Sequence, residues 1–243
     1  MDYRKNNLVN GVVYGLATLG TIIGEMTGRH WLVYICKPAM MVILSSWFFF
    51  SSRRVGDRFT LLIQAGLFFS LVGDVALMLQ HLDEFNFLIG LGAFLIAQLC
   101  YTMAFAQNIA NVGGPQGVLI STVLAVGVIA YGYFFASDLL PKVDEGIMVP
   151  VALYAVVITL MGIGAAYRFG RTFLRSFLLV FFGALLFIAS DSILAINRFS
   201  HQLGHAEWSV LITYAAAQFL IALGCLRHVL DPGEIRRRAA MTT

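Results

Sequence analysis

The sequence predicts an all-α polytopic membrane protein with eight transmembrane helices, and three observations carry that prediction. Hydrophobic residues make up 59% of the 243-residue chain and charged residues only 12%, about half the charge with which a soluble domain covers its surface. The mean hydropathy is +0.83. Apolar runs of about 20 residues, the length that crosses a hydrocarbon core, recur eight times, and the connections between them are too short to hold a soluble domain.

Taken in order, the runs fall at roughly 8–27, 32–50, 60–80, 86–107, 117–137, 147–167, 173–196 and 208–229. The first follows Arg4 and Lys5, is too long for a signal-peptide core and lacks a cleavage site, so it is read as retained. Gly20, Gly24 and Gly28 form a small-residue ladder suited to close helix packing. The second run carries Lys37-Pro38 near its start, where a proline is tolerated with a local kink. The third and seventh carry Asp74 and Asp191. The fourth and eighth carry matching segments, AQLCY around Gln98 and AAQFLIA around Gln218. Cys36, Cys100 and Cys225 fall in three different runs without a CxxC, which favours small packing residues over a disulfide or thiolate metal site.

Basic residues set the orientation. With the N-terminus inside, the cytoplasmic side holds Arg4, Lys5, Arg53, Arg54, Arg58, Arg168, Arg171, Arg175, Arg227 and Arg236 to Arg238, and the opposite side holds Arg29, Lys142 and Arg198. Positive residues favour the cytoplasm, so both termini are expected there. The runs SSRRVGDR and YRFGRTFLR read as topology determinants. The net charge of +3 indicates no nucleic-acid partner, because the basic residues serve topology.

That orientation brings four ionisable side chains to one depth. At 1.5 Å per residue, Asp74 and Asp191 lie ~8–9 Å short of the outer ends of their runs. Lys37 and Glu25 come from the outer halves of the second and first. Intramembrane carboxylates cost at least a few kcal/mol each, which makes them functional candidates. The aspartates are 117 residues apart and share a small residue before (Gly73, Ser190) and a leucine three after (Leu77, Leu194). The pattern suggests a single membrane domain, 1–243, built of two parallel halves, 1–112 and 113–243. Two independent helices meeting similar demands would produce the same echo.

Two close carboxyls do not both ionise easily, so one can act as an acid while the other acts as a base or charge stabiliser. Such a pair suits cleavage through an oxocarbenium-like state. Structural roles, hydrogen-bonding a neighbouring helix or balancing Lys37, remain the competing reading. Lys37 itself suits either a lipid phosphate or neutralisation of an aspartate. His201 and His205 are four apart in a loop without acidic support, a poor metal site. No nucleophile elbow, HExxH or P-loop is present.

These residues also carry a family resemblance. From the second run onward the chain resembles the YhhN-like membrane proteins, which include lysoplasmalogenases. The resemblance rests on Lys37-Pro38, Gly73-Asp74 with Leu77, Gly90, Phe94 and Tyr101. It continues through Tyr154, Met161, Ala165, Gly183, Phe187, Ser190-Asp191, Leu194, Ala195, Phe199, Tyr214 and the Gln218 segment. It implies a multi-span helical enzyme that cleaves the vinyl ether bond of a lysophospholipid substrate in the membrane, using no metal or cofactor. Asp74 and Asp191 fall on the expected catalytic pair. Lys37, Tyr101, Gln98, Gln218, Ser190, Glu25, Tyr154 and Tyr214 are then candidates for binding substrate. Many members carry His where this chain has Gln98, and glutamine retains the capacity to hydrogen-bond. The expected location is a bacterial inner membrane, with the site in its outer half. A small secondary transporter and a non-catalytic lipid-binding protein remain alternatives, the former disfavoured because no polar path continues toward the inner face.

Overall fold

A computed structural model describes residues 6–109, 114–231 and 233. All eight expected spans are α-helices: α1 (Asn7–Met26), α2 (His30–Ser52), α3 (Arg58–Met78), α4 (Phe85–Ile109), α5 (Pro115–Leu139), α6 (Glu145–Ala166), α7 (Leu174–Phe199) and α8 (Ala206–Val229). Each is long and apolar enough to cross a membrane, and the described residues contain no strand. Together these observations make the chain an integral membrane protein. Arg4, Lys5 and Arg236 to Arg238 of the charge argument, and the boundary at 112 and 113, lie outside the described residues.

Local chemistry accounts for the helix ends. Asn6 Oδ1 accepts from the Leu8 amide at 3.0 Å to cap α1, and Asp57 Oδ1 accepts from the Thr60 amide at 2.9 Å to cap α3; both satisfy donors that a helix start leaves free. Pro115 begins α5, where its missing N–H costs nothing. Pro38 lies inside α2 and withholds the hydrogen bond that Tyr34 C=O would otherwise accept. The glycine ladder divides by role. A Cβ on Gly20 would come within 2.7 Å of Cys36 Sγ, and one on Gly24 within 2.8 Å of Val33, so α1 rides closely on α2 at both. Gly28 has open space around it and φ +65°, so it makes the α1–α2 turn instead of packing.

The tightest helix contacts surround the two aspartate helices. α3 lies along α4 and α7 along α8, and in each pair glycines let the helices close. A Cβ on Gly73 would be 2.6 Å from the Phe94 ring, and one on Gly183 3.0 Å from the Ala217 carbonyl and the Ile221 amide. The partnerships recur in order: α1 with α2 as α5 with α6, and α4 with α6 as α8 with α2. All three cysteines are free and at least partly buried.

One topology arginine departs from expectation. Arg168, part of a run read as a topology determinant and so as facing solvent, is fully buried. Its guanidinium donates to Asn108 Oδ1 and, at 2.9 Å, to Ser176 Oγ, and it lies over the rings of Phe59 and Phe105. A planar cation with several donors can be buried when hydrogen bonds and aromatic faces replace water. At this end of the bundle it ties α3, α4 and α7 together.

Candidate active site

At the opposite end, the outer parts of α1, α2, α3, α4, α7 and α8 line a cavity of about 650 Å³ whose wall includes Glu25, Lys37, Asp74, Ser190, Asp191 and Tyr214. Six of the ten residues singled out from the sequence therefore share one cavity, although they come from five helices. α3 ends at Met78, which leaves Asp74 ~6 Å from the helix end. α7 runs on to Phe199, which puts Asp191 ~12 Å down.

Each aspartate is held by a tyrosine from another helix. Tyr214 of α8 donates to Asp74 Oδ2 at 2.7 Å, and Tyr154 of α6 donates to Asp191 Oδ2. Tyr214 cannot swing away, because the rings of Phe94 and Phe187 meet it edge-on at 5.8 and 5.6 Å. Asp74 is 3% exposed, while Asp191 opens further to the cavity. The two carboxyls interact electrostatically with each other, and Lys37 interacts with Asp74. Ser190 Oγ donates to the Val210 carbonyl at 3.0 Å, which secures α7 to α8 beside Asp191.

A second, narrow and almost wholly apolar cavity of about 90 Å³ lies between α4, α5, α6 and α7. Leu77, Phe94, Asp191 and Leu194 line both cavities, and Tyr154 lines the apolar one. Asp191 therefore stands between an oily slot and a polar chamber and lines both.

The other three candidates sit off both walls. Tyr101 donates to Gln218 Oε1 at 2.8 Å and Gln218 Nε2 donates to Ser70 Oγ at 2.9 Å, a chain that joins α4, α8 and α3. All three are fully buried. Gln98 is also fully buried, close to Tyr154, with neither amide atom hydrogen-bonded among the described residues. These side chains face helix interfaces, a distinction that helical runs apolar all round do not reveal. The cavity adds groups the sequence reading missed: His30, Tyr34, His81, Asn197 and Glu207. His81 Nδ1 donates to the Met78 carbonyl at 3.1 Å, which leaves Nε2 of the neutral ring to accept from Tyr34 at 3.2 Å. All five lie at or just beyond helix ends, where polar residues are ordinary, so only their convergence marks them.

The arrangement offers two carboxyls, each with one oxygen fixed by a phenol, a nearby ammonium group and an adjoining apolar slot. It is suited to proton transfer on a molecule that is part lipid and part phosphate ester.

Comparison with known proteins identifies the family. The model of the YhhN family matches residues 32–225. Lysoplasmalogenase TMEM86B of Homo sapiens is 30% identical over 81% of this chain and 76% of its own. That of Rattus norvegicus is 30% identical over 79% and 71%. The lysoplasmalogenase of Mycobacterium tuberculosis is 31% identical over 82% and 72%. No solved structure matches. On this match and on the eight-helix architecture, the chain belongs to the YhhN family of membrane proteins.

Proposed function

We propose that this protein is a lysoplasmalogenase, an ether hydrolase that cleaves the vinyl ether of a 1-alkenyl-glycerophosphocholine or -ethanolamine to a fatty aldehyde and the glycerophospho-alcohol. The observation that carries the reading is the convergence of Asp74 and Asp191 on one cavity inside a lipid-embedded bundle. Relatives named lysoplasmalogenase at about 30% identity support it.

In this reading one aspartic acid protonates the vinyl β-carbon. The oxocarbenium that follows is stabilised by the other, ionised carboxylate, which also takes a proton from the attacking water. The resulting hemiacetal collapses to aldehyde and alcohol. General acid catalysis and charge stabilisation in a water-poor site are the effects at work. Lys37 binds the phosphate as a point charge, and Tyr154 and Tyr214 orient the two carboxyls. Positive-inside placement would put the termini in the cytoplasm and the cavity toward the outer leaflet of a bacterial inner membrane. The recurring helix partnerships support two parallel four-helix halves, each contributing one aspartate.

Purified protein in detergent should release aldehyde from 1-alkenyl-glycerophosphocholine. Asp74→Asn and Asp191→Asn should each lower turnover by about 10²–10⁴-fold with the eluting species and helical circular dichroism unchanged. Near-normal turnover in both variants would end the two-aspartate scheme.

A further inference from the structure

The two aspartates meet different surroundings, and that difference assigns their roles. Asp191 lines both the apolar slot and the polar cavity, whereas Asp74, like Lys37, lines the polar cavity alone. The scissile group of a 1-alkenyl ether has the same asymmetry. Its β-carbon is bonded to the hydrocarbon chain, and its α-carbon is bonded to the ether oxygen that leads to glycerol and phosphate.

Resting on the lysoplasmalogenase reading, we propose that the slot between α4, α5, α6 and α7 holds the substrate's hydrocarbon chain, and that Asp191 is therefore the general acid and Asp74 the base. The occupant is a single alkenyl chain. The slot and the polar chamber share Leu77, Phe94, Asp191 and Leu194 in their walls, and a phosphate drawn to Lys37 leaves the chain on the Asp191 side. Val128, Ile158 and Ile188, each nearly buried, are among the residues that line the slot. Seating a methylene chain there removes it from competition with bulk lipid through close van der Waals contact.

The steps balance without a co-reactant other than water. The Asp191 carboxyl gives its proton to the β-carbon as the C=C π pair forms the new C–H bond, leaving an oxocarbenium at the α-carbon. Water adds to the α-carbon and its proton passes to the Asp74 carboxylate. The hemiacetal hydroxyl then returns a proton to Asp191 as the C=O forms. The α-carbon–ether bond breaks, and the leaving glycerol oxygen takes the proton held by Asp74. Both carboxyls end in their starting states. Tyr154 and Tyr214 each tie down one oxygen of their aspartate, which directs the other toward the substrate.

The test is chemical rescue. Sodium formate is ionised at neutral pH, so it replaces a missing base and not a missing acid. Aldehyde release from hexadecenyl-glycerophosphocholine should rise about tenfold with formate in Asp74→Ala and stay flat in Asp191→Ala. Rescue of Asp191→Ala, of both, or of neither overturns the assignment. A second variant stands independently of how the alanine variants fold. Ala155 lines the slot and not the polar cavity, and Ala155→Phe should lower the ratio of kcat/KM for hexadecenyl over butenyl substrate by about threefold or more, because the expelled methylenes lose their close van der Waals contacts and return to lipid. An unchanged ratio overturns the placement of the chain and the roles that follow from it. Wild-type protein that releases no aldehyde would fail the lysoplasmalogenase reading itself, whereas wild-type turnover with the wrong pattern fails this inference alone.

Discussion

Asp74 and Asp191 were legible as residues because a carboxylate within an apolar run is expensive enough to demand a purpose. Their tyrosine partners were less so. Tyr154 and Tyr214 entered as matches to a family pattern, and contact with the carboxyls required helices 37 and 140 residues distant in sequence to meet them. A hydrogen bond to an ionised group contributes about 1.5–3 kcal/mol, and each carboxyl bears charge during the proposed reaction, Asp74 at rest and Asp191 as its proton leaves. Tyr154→Phe and Tyr214→Phe are therefore each expected to lower kcat by about 10- to 100-fold. KM should change little, since the phenols act on the carboxyls and not on the substrate. Steady-state kinetics in detergent micelles would check this, and a loss confined to KM would contradict it. Tyr101 and Gln218 belong to a different class. Their polar groups satisfy each other and Ser70 inside the bundle, so Gln218→Leu should lower thermal stability, by about 1–3 kcal/mol, more than it alters KM.

At the scale of helices, the length of each apolar run predicted the element, and the ends moved by a few residues because lipid-facing runs fade gradually into their loops. Close contacts between helices are set by glycines that a hydropathy profile treats alike. Gly183 lies where a methyl group would meet backbone atoms of α8 at 3.0 Å, while Gly127 has nothing within 4 Å. Gly183→Ala should push α7 from α8, cost about 1–3 kcal/mol of stability and impair turnover by moving Asp191 relative to Tyr214. Gly127→Ala should be neutral or slightly stabilising. Thermal denaturation of the two variants in one detergent compares them directly, and equal midpoints would refute the packing argument. Arg168 shows the same principle for a charge. Its position in a basic loop sequence suggests solvent, and its burial follows from Asn108, Ser176 and two phenylalanine rings brought in by other helices.

For the whole molecule, the imbalance of basic residues between the two ends survives the burial of Arg168, because Arg53, Arg54, Arg58, Arg171, Arg175 and Arg227 remain at the same end. In a cysteine-free background, Lys142→Cys should react with an impermeant maleimide added outside intact cells, and a cysteine placed at Arg54 should not. The reverse labelling would turn the cavity toward the inner leaflet, leave the chemistry unaltered and change which lipids reach it.

The sequence by itself determined the membrane environment, the eight helices, the family and the two costly carboxylates, because composition, run length and the desolvation of charge are properties of short segments. Tertiary structure alone decided which polar residues face a cavity and which face a neighbouring helix. It put Lys37 and Asp74 on the wall of one cavity, gave each aspartate its tyrosine and set an apolar slot against Asp191 and not Asp74. The physical reason is that helices buried in lipid are apolar on every side, so the face a polar group presents is set by which helices close around it.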